Sequence, residues 1–162
     1  MLNLEVSDEF DCTKEAYWTA FRTPEYGRTY YLEEMQAFSY EVLEQSETKG
    51  EIRIVPRLNM PGPVMKVLGD RPSYVEHSVY DPAAHHWSWH WVPAVMPDKL
   101  SVKGSMTLED AGEGRTRRIH RATLEAKVFG VGSLIEKATE KEIRDAWSKE
   151  TPFMRRWLAT HR

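Results

Sequence analysis

Ser133-Leu134-Ile135-Glu136-Lys137-Ala138-Thr139-Glu140-Lys141-Glu142-Ile143-Arg144-Asp145-Ala146-Trp147 is the stretch on which the fold turns. Ile135, Thr139, Ile143, Ala146 and Trp147 recur at helical spacing and share one face. On another face, Glu140 and Arg144, and Lys141 and Asp145, are opposite charges one helical turn apart. A long helix with one apolar stripe needs a surface to bury it against, and the strand-like segments upstream offer that surface. Pro152 predicts a kink or a new turn with Thr151 as its cap. Arg155, Arg156 and Arg162 suit the negative end of a helix dipole.

Upstream of the helix the period is that of strands. Leu2, Leu4 and Val6 alternate with polar residues towards Phe10. The period then lengthens: Tyr17, Trp18 and Phe21 sit at helical spacing, with Thr13 placed to cap the start. Thr23-Pro24 predicts a second short helix through Tyr26, Tyr30 and Tyr31, weakened by Gly27. Phe38, Tyr40 and Val42 alternate again, and a turn at Lys49-Gly50 leads into Ile52, Ile54 and Leu58, a strand that Pro56 breaks. Further strands are expected over 74–81, 86–92, 100–108 and 115–128, separated by Asp81-Pro82, Val92-Pro93 and Ala111-Gly112-Glu113-Gly114. Such short spacers favour sequential antiparallel pairing. The expected fold class is α+β: a curved seven-stranded antiparallel sheet, two short helices after the first strand, and a long helix laid across the sheet.

The 162 residues suit one domain, 1–162, large enough to bury its own core. A net charge of -3 with acids and bases interspersed gives no field for a polyanion, which argues against nucleic acid as a partner. The single Cys12 cannot form a disulfide within the chain and points to a reducing, cytoplasmic setting. The first residues lack the basic and apolar regions of a signal peptide, and no apolar run approaches the roughly 20 residues of a membrane span.

The last strand and helix, Ala126-Lys127-Val128-Phe129-Gly130-Val131-Gly132-Ser133-Leu134-Ile135-Glu136-Lys137 followed by a charged helix ending Phe153-Met154-Arg155-Arg156-Trp157-Leu158, carry a family resemblance. So does the opening, an alternating strand followed by Ala16-Tyr17-Trp18 and Thr23-Pro24-Glu25-Tyr26. Together they resemble the helix-grip fold of the START and birch-pollen-allergen (SRPBCC) superfamily, in a bacterial branch known as a domain of unknown function. The resemblance covers the whole chain. It implies an apolar cavity between sheet and C-terminal helix, and binding or transport of a hydrophobic small molecule or lipid. It transfers no catalytic residue and implies no cofactor.

Within that frame the residues suggest a wall and a gate. Period 2 puts Trp87, Trp89 and Trp91 on one face of their strand, which is placed inward either as core filling or as a pocket wall. The expected lining is Tyr40, Tyr80, Trp89, Trp91, Met106, His120, Leu124, Ile135 and Ile143. His120 falls on the inward face of its strand, as a hydrogen-bonded structural histidine or as a polar handle for a ligand. Met60, Val64, Met65 and Leu68 lie in a long Met-rich loop and are the expected gate, with transient membrane contact if the cargo is a lipid. The apolar loops also suit a homodimer contact, so monomer and homodimer both stay open. Histidine density does not make a metal centre: His86 and His90 lie roughly 13 Å apart on an extended strand, against Zn–N bonds of about 2.1 Å. Two alternatives to carriage remain: a polyketide cyclase or dehydratase-like enzyme using His120, His77 or Tyr80 as acid or base, and an interaction module with a filled core.

Overall fold

The structure is a computed structural model and describes residues 1–161; Arg162 lies outside the described residues. Seven strands form one antiparallel sheet in the order β1-β7-β6-β5-β4-β3-β2. They are β1 (Leu2–Phe10), β2 (Ser39–Gln45), β3 (Lys49–Val55), β4 (Tyr74–Asp81), β5 (His86–Pro93), β6 (Leu100–Asp110) and β7 (Thr116–Ala126). Every neighbour after β1 is also the neighbour in sequence, as short spacers require. β1 alone crosses over to pair with β7. Helices α1 (Lys14–Phe21) and α2 (Pro24–Arg28) follow β1, α3 (Gly62–Leu68) joins β3 to β4, and α4 (Gly132–Thr160) closes the chain. This is the expected curved sheet gripping a long helix.

Thr13 caps α1 as its position predicts, its side chain accepting from the Ala16 N–H at 3.1 Å. The second helix forms too, and it continues past Arg28 as a π-helical turn over Thr29–Glu34. Turns of this kind are frequent at functional sites, and Tyr30 and Tyr31 on this one both face the interior. Gly27 serves a purpose that helix propensity hides. A Cβ there would collide with the Tyr40 hydroxyl, so glycine lets α2 lie against β2.

Other local expectations are corrected. The turn before β3 is made by Ser46–Thr48, where the Ser46 hydroxyl accepts from the Thr48 and Lys49 N–H groups; Lys49 and Gly50 are already strand. The expected gate loop contains α3, whose Val64 and Leu68 pack with Leu100, Ile135 and Ala138. Pro152 neither ends α4 nor starts a new helix. Thr151 is no cap: its hydroxyl donates to the Trp147 carbonyl at 3.2 Å and accepts from Arg118 at 2.7 Å. Arg155 and Arg156 do not neutralise the helix end. Arg155 reaches the Glu9 carbonyl and Arg156 the Glu34 carboxylate, tying α4 to β1 and to the π turn.

α4 packs over β7 and β1. Two packed regions flank its middle. At one end Phe10, Tyr17, Trp18, Met106, Phe153 and Met154 make an aromatic-rich core beneath α1. At the other, α3 closes on Leu100 and Ile135. Between them Leu4, Trp89, Ala122, Leu124 and Ile143 meet across sheet and helix.

Candidate functional site

Between the concave face of the sheet and α4 lies a cleft of about 340 Å³. Strand alternation supplies its floor. On β5, Trp87, Trp89 and Trp91 all point inward, as period 2 predicts, and adjacent indoles in the row lie 6.4 and 5.3 Å apart. Trp89 lies against Gly104 on β6, where any Cβ would meet the indole and the Arg121 carbonyl. The same parity on β4 turns Tyr74, Glu76, Ser78 and Tyr80 inward.

Tyr40, Tyr80, Trp89, Trp91, His120, Leu124, Ile135 and Ile143 all border the cleft, as do Met60 and Leu68. Three expected residues do not. Met106 lies on the inward face of β6 but at the end covered by α1, fully buried, with the Tyr17 hydroxyl 3.4 Å from its Sδ. Val64 is buried behind the wall among Leu100, Ile135 and Ala138, and Met65 is half-buried on α3 away from the cleft. His77 is also misplaced as an acid or base of the interior. It stacks on His90 at 4.9 Å on the outer face of the sheet, beside Glu51.

His120 is the unusual member. It is 5% exposed, and its ring stacks on Trp147 from α4 at 4.6 Å and 8°. Neither ring nitrogen has a hydrogen-bond partner among the described residues. Burial, reinforced by the nearby Arg118 charge, holds its pKa well below the ordinary histidine value, so the ring is neutral. A neutral imidazole carries one donor and one acceptor, and both stand idle here.

On the same sheet face, three strands along at β4, is Glu76. It is 6% exposed and accepts from Trp91 Nε1 at 2.9 Å. Burial pushes its carboxyl up to about 7, the Trp91 hydrogen bond offsetting part of that rise. Tyr74 stacks on Trp91 at 4.1 Å, and Tyr31 on Tyr40 at 5.5 Å. Burial, and then the Glu76 charge, raise the hydroxyl pKa of Tyr31, Tyr40 and Tyr74, so all three stay protonated.

A second polar cluster borders the cleft near the α1 end. Arg118 is fully buried and donates to Tyr17 at 3.0 Å, Asp8 at 3.2 Å, Thr151 at 2.7 Å and Glu150. Tyr26 donates to the same Glu150 carboxylate. Burial alone would lower the arginine's pKa; Glu150 and Tyr17 outweigh it and the pKa is raised.

Glu76, Tyr74, Arg118 and Glu150 are absent from the expected lining and its surroundings. Parity could have found three of them. Tyr80 inward implies Ser78, Glu76 and Tyr74 inward, and His120 inward implies Arg118. Among the described residues no group of three His, Cys, Asp or Glu side chains could hold a metal ion, and no helix is long and apolar enough to cross a membrane.

A family model described as protein of unknown function (DUF2505) matches residues 5–158. No curated protein matches the chain. Solved structures of similar shape include a protein from Thermus thermophilus, at 16% identity and a TM-score of 0.70, covering 98% of this chain and 97% of that one. The Zhui aromatase/cyclase from a Streptomyces species is similar at 10% identity and a TM-score of 0.73, over 98% and 93% of the two chains. Norcoclaurine synthase from Thalictrum flavum, in complex with dopamine and hydroxybenzaldehyde, is similar at 8% identity and a TM-score of 0.72, over 99% and 88%. At these identities the likeness is one of fold.

Proposed function

We propose, for a chain that belongs to the DUF2505 family and has the helix-grip fold of the START-like superfamily, that the cleft binds an apolar small molecule. One observation carries this reading: His120 is buried at the cleft wall with both ring nitrogens unpartnered among the described residues. Buried polar groups are nearly always hydrogen-bonded, and leaving one unsatisfied costs about 1–3 kcal/mol. A ligand polar group that reached the imidazole as the Trp147 ring moved aside would recover that cost, while three indoles and the Ile135–Ile143 helix face bury the rest of the molecule. The cleft falls within the range of about 300–1,000 Å³ usual for small-molecule sites. A neighbouring fold that holds two small aromatic molecules supports the same reading. Lipid is one candidate class of cargo, and the segment from Met60 through α3, whose Met60 and Leu68 line the cleft, is the proposed gate.

Native mass spectrometry of protein purified from cells, with organic extraction, tests this. A co-purifying apolar molecule is expected, and it should be lost in Thr139→Trp, which fills the cleft from α4, and weakened roughly tenfold or more in His120→Leu. Apo protein, together with no change in tryptophan fluorescence across a panel of apolar compounds, would sink the reading.

Glu76 and His120 in one cleft favour a second reading, an enzyme of the polyketide cyclase or dehydratase kind with these as acid and base. It predicts that Glu76→Gln keeps substrate affinity while turnover falls at least a hundredfold.

A further inference from the structure

We infer that the end of the cleft around Glu76 takes the cationic nitrogen of the ligand, a protonated amine or quaternary ammonium carried on an apolar body. The inference rests on the ligand-binding reading above and adds the chemical class.

A carboxylate buried in an apolar site normally has a cation beside it. This protein obeys that rule at Glu150, which is paired with Arg118. Glu76 departs from it: its hydrogen bond comes from the neutral Trp91 indole, and it forms no ion pair among the described residues. The basic side chains bordering the same cleft are engaged or exposed. Arg22 lies over Tyr80 at 4.1 Å, Arg57 donates to the Gln36 carbonyl at 3.0 Å, and Lys49 is exposed on β3.

What surrounds Glu76 instead is aromatic. Tyr31 comes from the π turn, Tyr40 from β2, Tyr74 from β4 and Trp91 from β5, and beside these rings only the apolar Ile52 of β3 stands directly opposite it in the sheet. The faces of such rings carry negative charge density, and a cage of them with a carboxylate at its base attracts organic cations. Tyr40 already draws a cation from outside, the exposed Arg28 guanidinium 5.9 Å from its ring centroid. A ligand ammonium entering from within would meet two ring pairs and the Glu76 oxygens, while its apolar body lay along Trp89 and Ile143. A neutral ligand of the same shape would leave the carboxylate without a counter-charge.

The test is calorimetric titration with a matched pair, 2-(2-naphthyl)ethylammonium and the neutral 2-(2-naphthyl)ethanol, at pH 8 where Glu76 is ionised. The ammonium should bind at least tenfold more tightly to the wild type. In Glu76→Gln its affinity should fall to that which the alcohol shows for the same variant, with a native circular dichroism spectrum and a cooperative thermal transition as proof that the variant folds. Equal binding of both probes to the wild type, or a preference for the ammonium that survives Glu76→Gln, would overturn the cation assignment and leave the cleft a binding site. If neither probe binds the wild type, the cation assignment falls, while the ligand-binding reading stands or falls on the mass spectrometry and the fluorescence panel.

Discussion

Two buried carboxylates border one cleft, and the protein treats them in opposite ways. Glu150 sits in a cluster with Arg118, Tyr17, Tyr26, Asp8 and Thr151, and every partner is supplied by the chain itself. Glu76 sits among tyrosines with one indole N–H for company. The difference separates what holds the fold together from what is left for another molecule. The Arg118 cluster joins β1, α1, β7 and α4 at the closed end of the cleft. Glu76 and His120 add nothing comparable, because their polar capacity is largely unspent.

The largest effect that could break this contrast is expected at Arg118. Replacing it with Met strands Glu150 without its cation, which should cost about 3–5 kcal/mol in urea unfolding. Adding Glu150→Gln to that variant should recover part of the loss, since the uncompensated charge goes with it. A cost below about 1 kcal/mol for Arg118→Met would mean the cluster is not a structural clamp.

Glu76 should behave in the reverse sense. Its folded pKa, raised to about 7 from the ordinary 4.5, means the native state holds the proton more tightly than the unfolded chain. The burial penalty is therefore absent below about pH 4.5, accrues as pH rises towards 7, and is complete above that. Glu76→Gln should raise stability at pH 8 by on the order of 3 kcal/mol and leave it unchanged at pH 4. His120 works from the other side. A folded pKa below the ordinary value costs stability as pH falls under about 6.5, where the unfolded histidine takes up a proton and the buried one does not. Thermal unfolding from pH 4 to 9, on wild type and both single variants, separates the two slopes.

The smallest effect concerns the gate. Met65→Asp alters a half-buried side chain outside the cleft and should change stability by less than about 1 kcal/mol, while slowing ligand uptake if α3 has to move. Unchanged uptake in this variant and in Leu68→Asp would remove the gate from the account.

Much of this architecture could be read from the chain because strands and helices announce themselves by period. The inward row of Trp87, Trp89 and Trp91, the Thr13 cap and the apolar stripe of α4 each follow from local spacing. The corrections fall where tertiary contacts outweigh local preference. Pro152 stays inside α4 because the packing of Phe153 and Met154 holds the helix through it. Met106 is walled off by α1, a contact between residues far apart in sequence. The polar half of the site is a different matter. Glu76 and Arg118 sit at inward positions by simple alternation, yet charged residues are ordinarily assigned to the solvent side, and that habit conceals them. What alternation could not supply is that one of them would find a counter-ion and the other would not.

Gly104 has a consequence for chemistry that its lack of a side chain disguises. The Trp89 indole rests where a β-carbon would otherwise be, so the room available to a guest is set partly by an atom that is missing from the neighbouring strand. An alanine at 104 would also set its β-carbon well inside contact distance of the Arg121 backbone carbonyl, so the pairing of β6 with β7 would have to give way and not the indole alone. The hollow beside Trp89 is therefore as wide as the backbone of the neighbouring strand allows, and no side chain at 104 could narrow it without first disturbing the sheet.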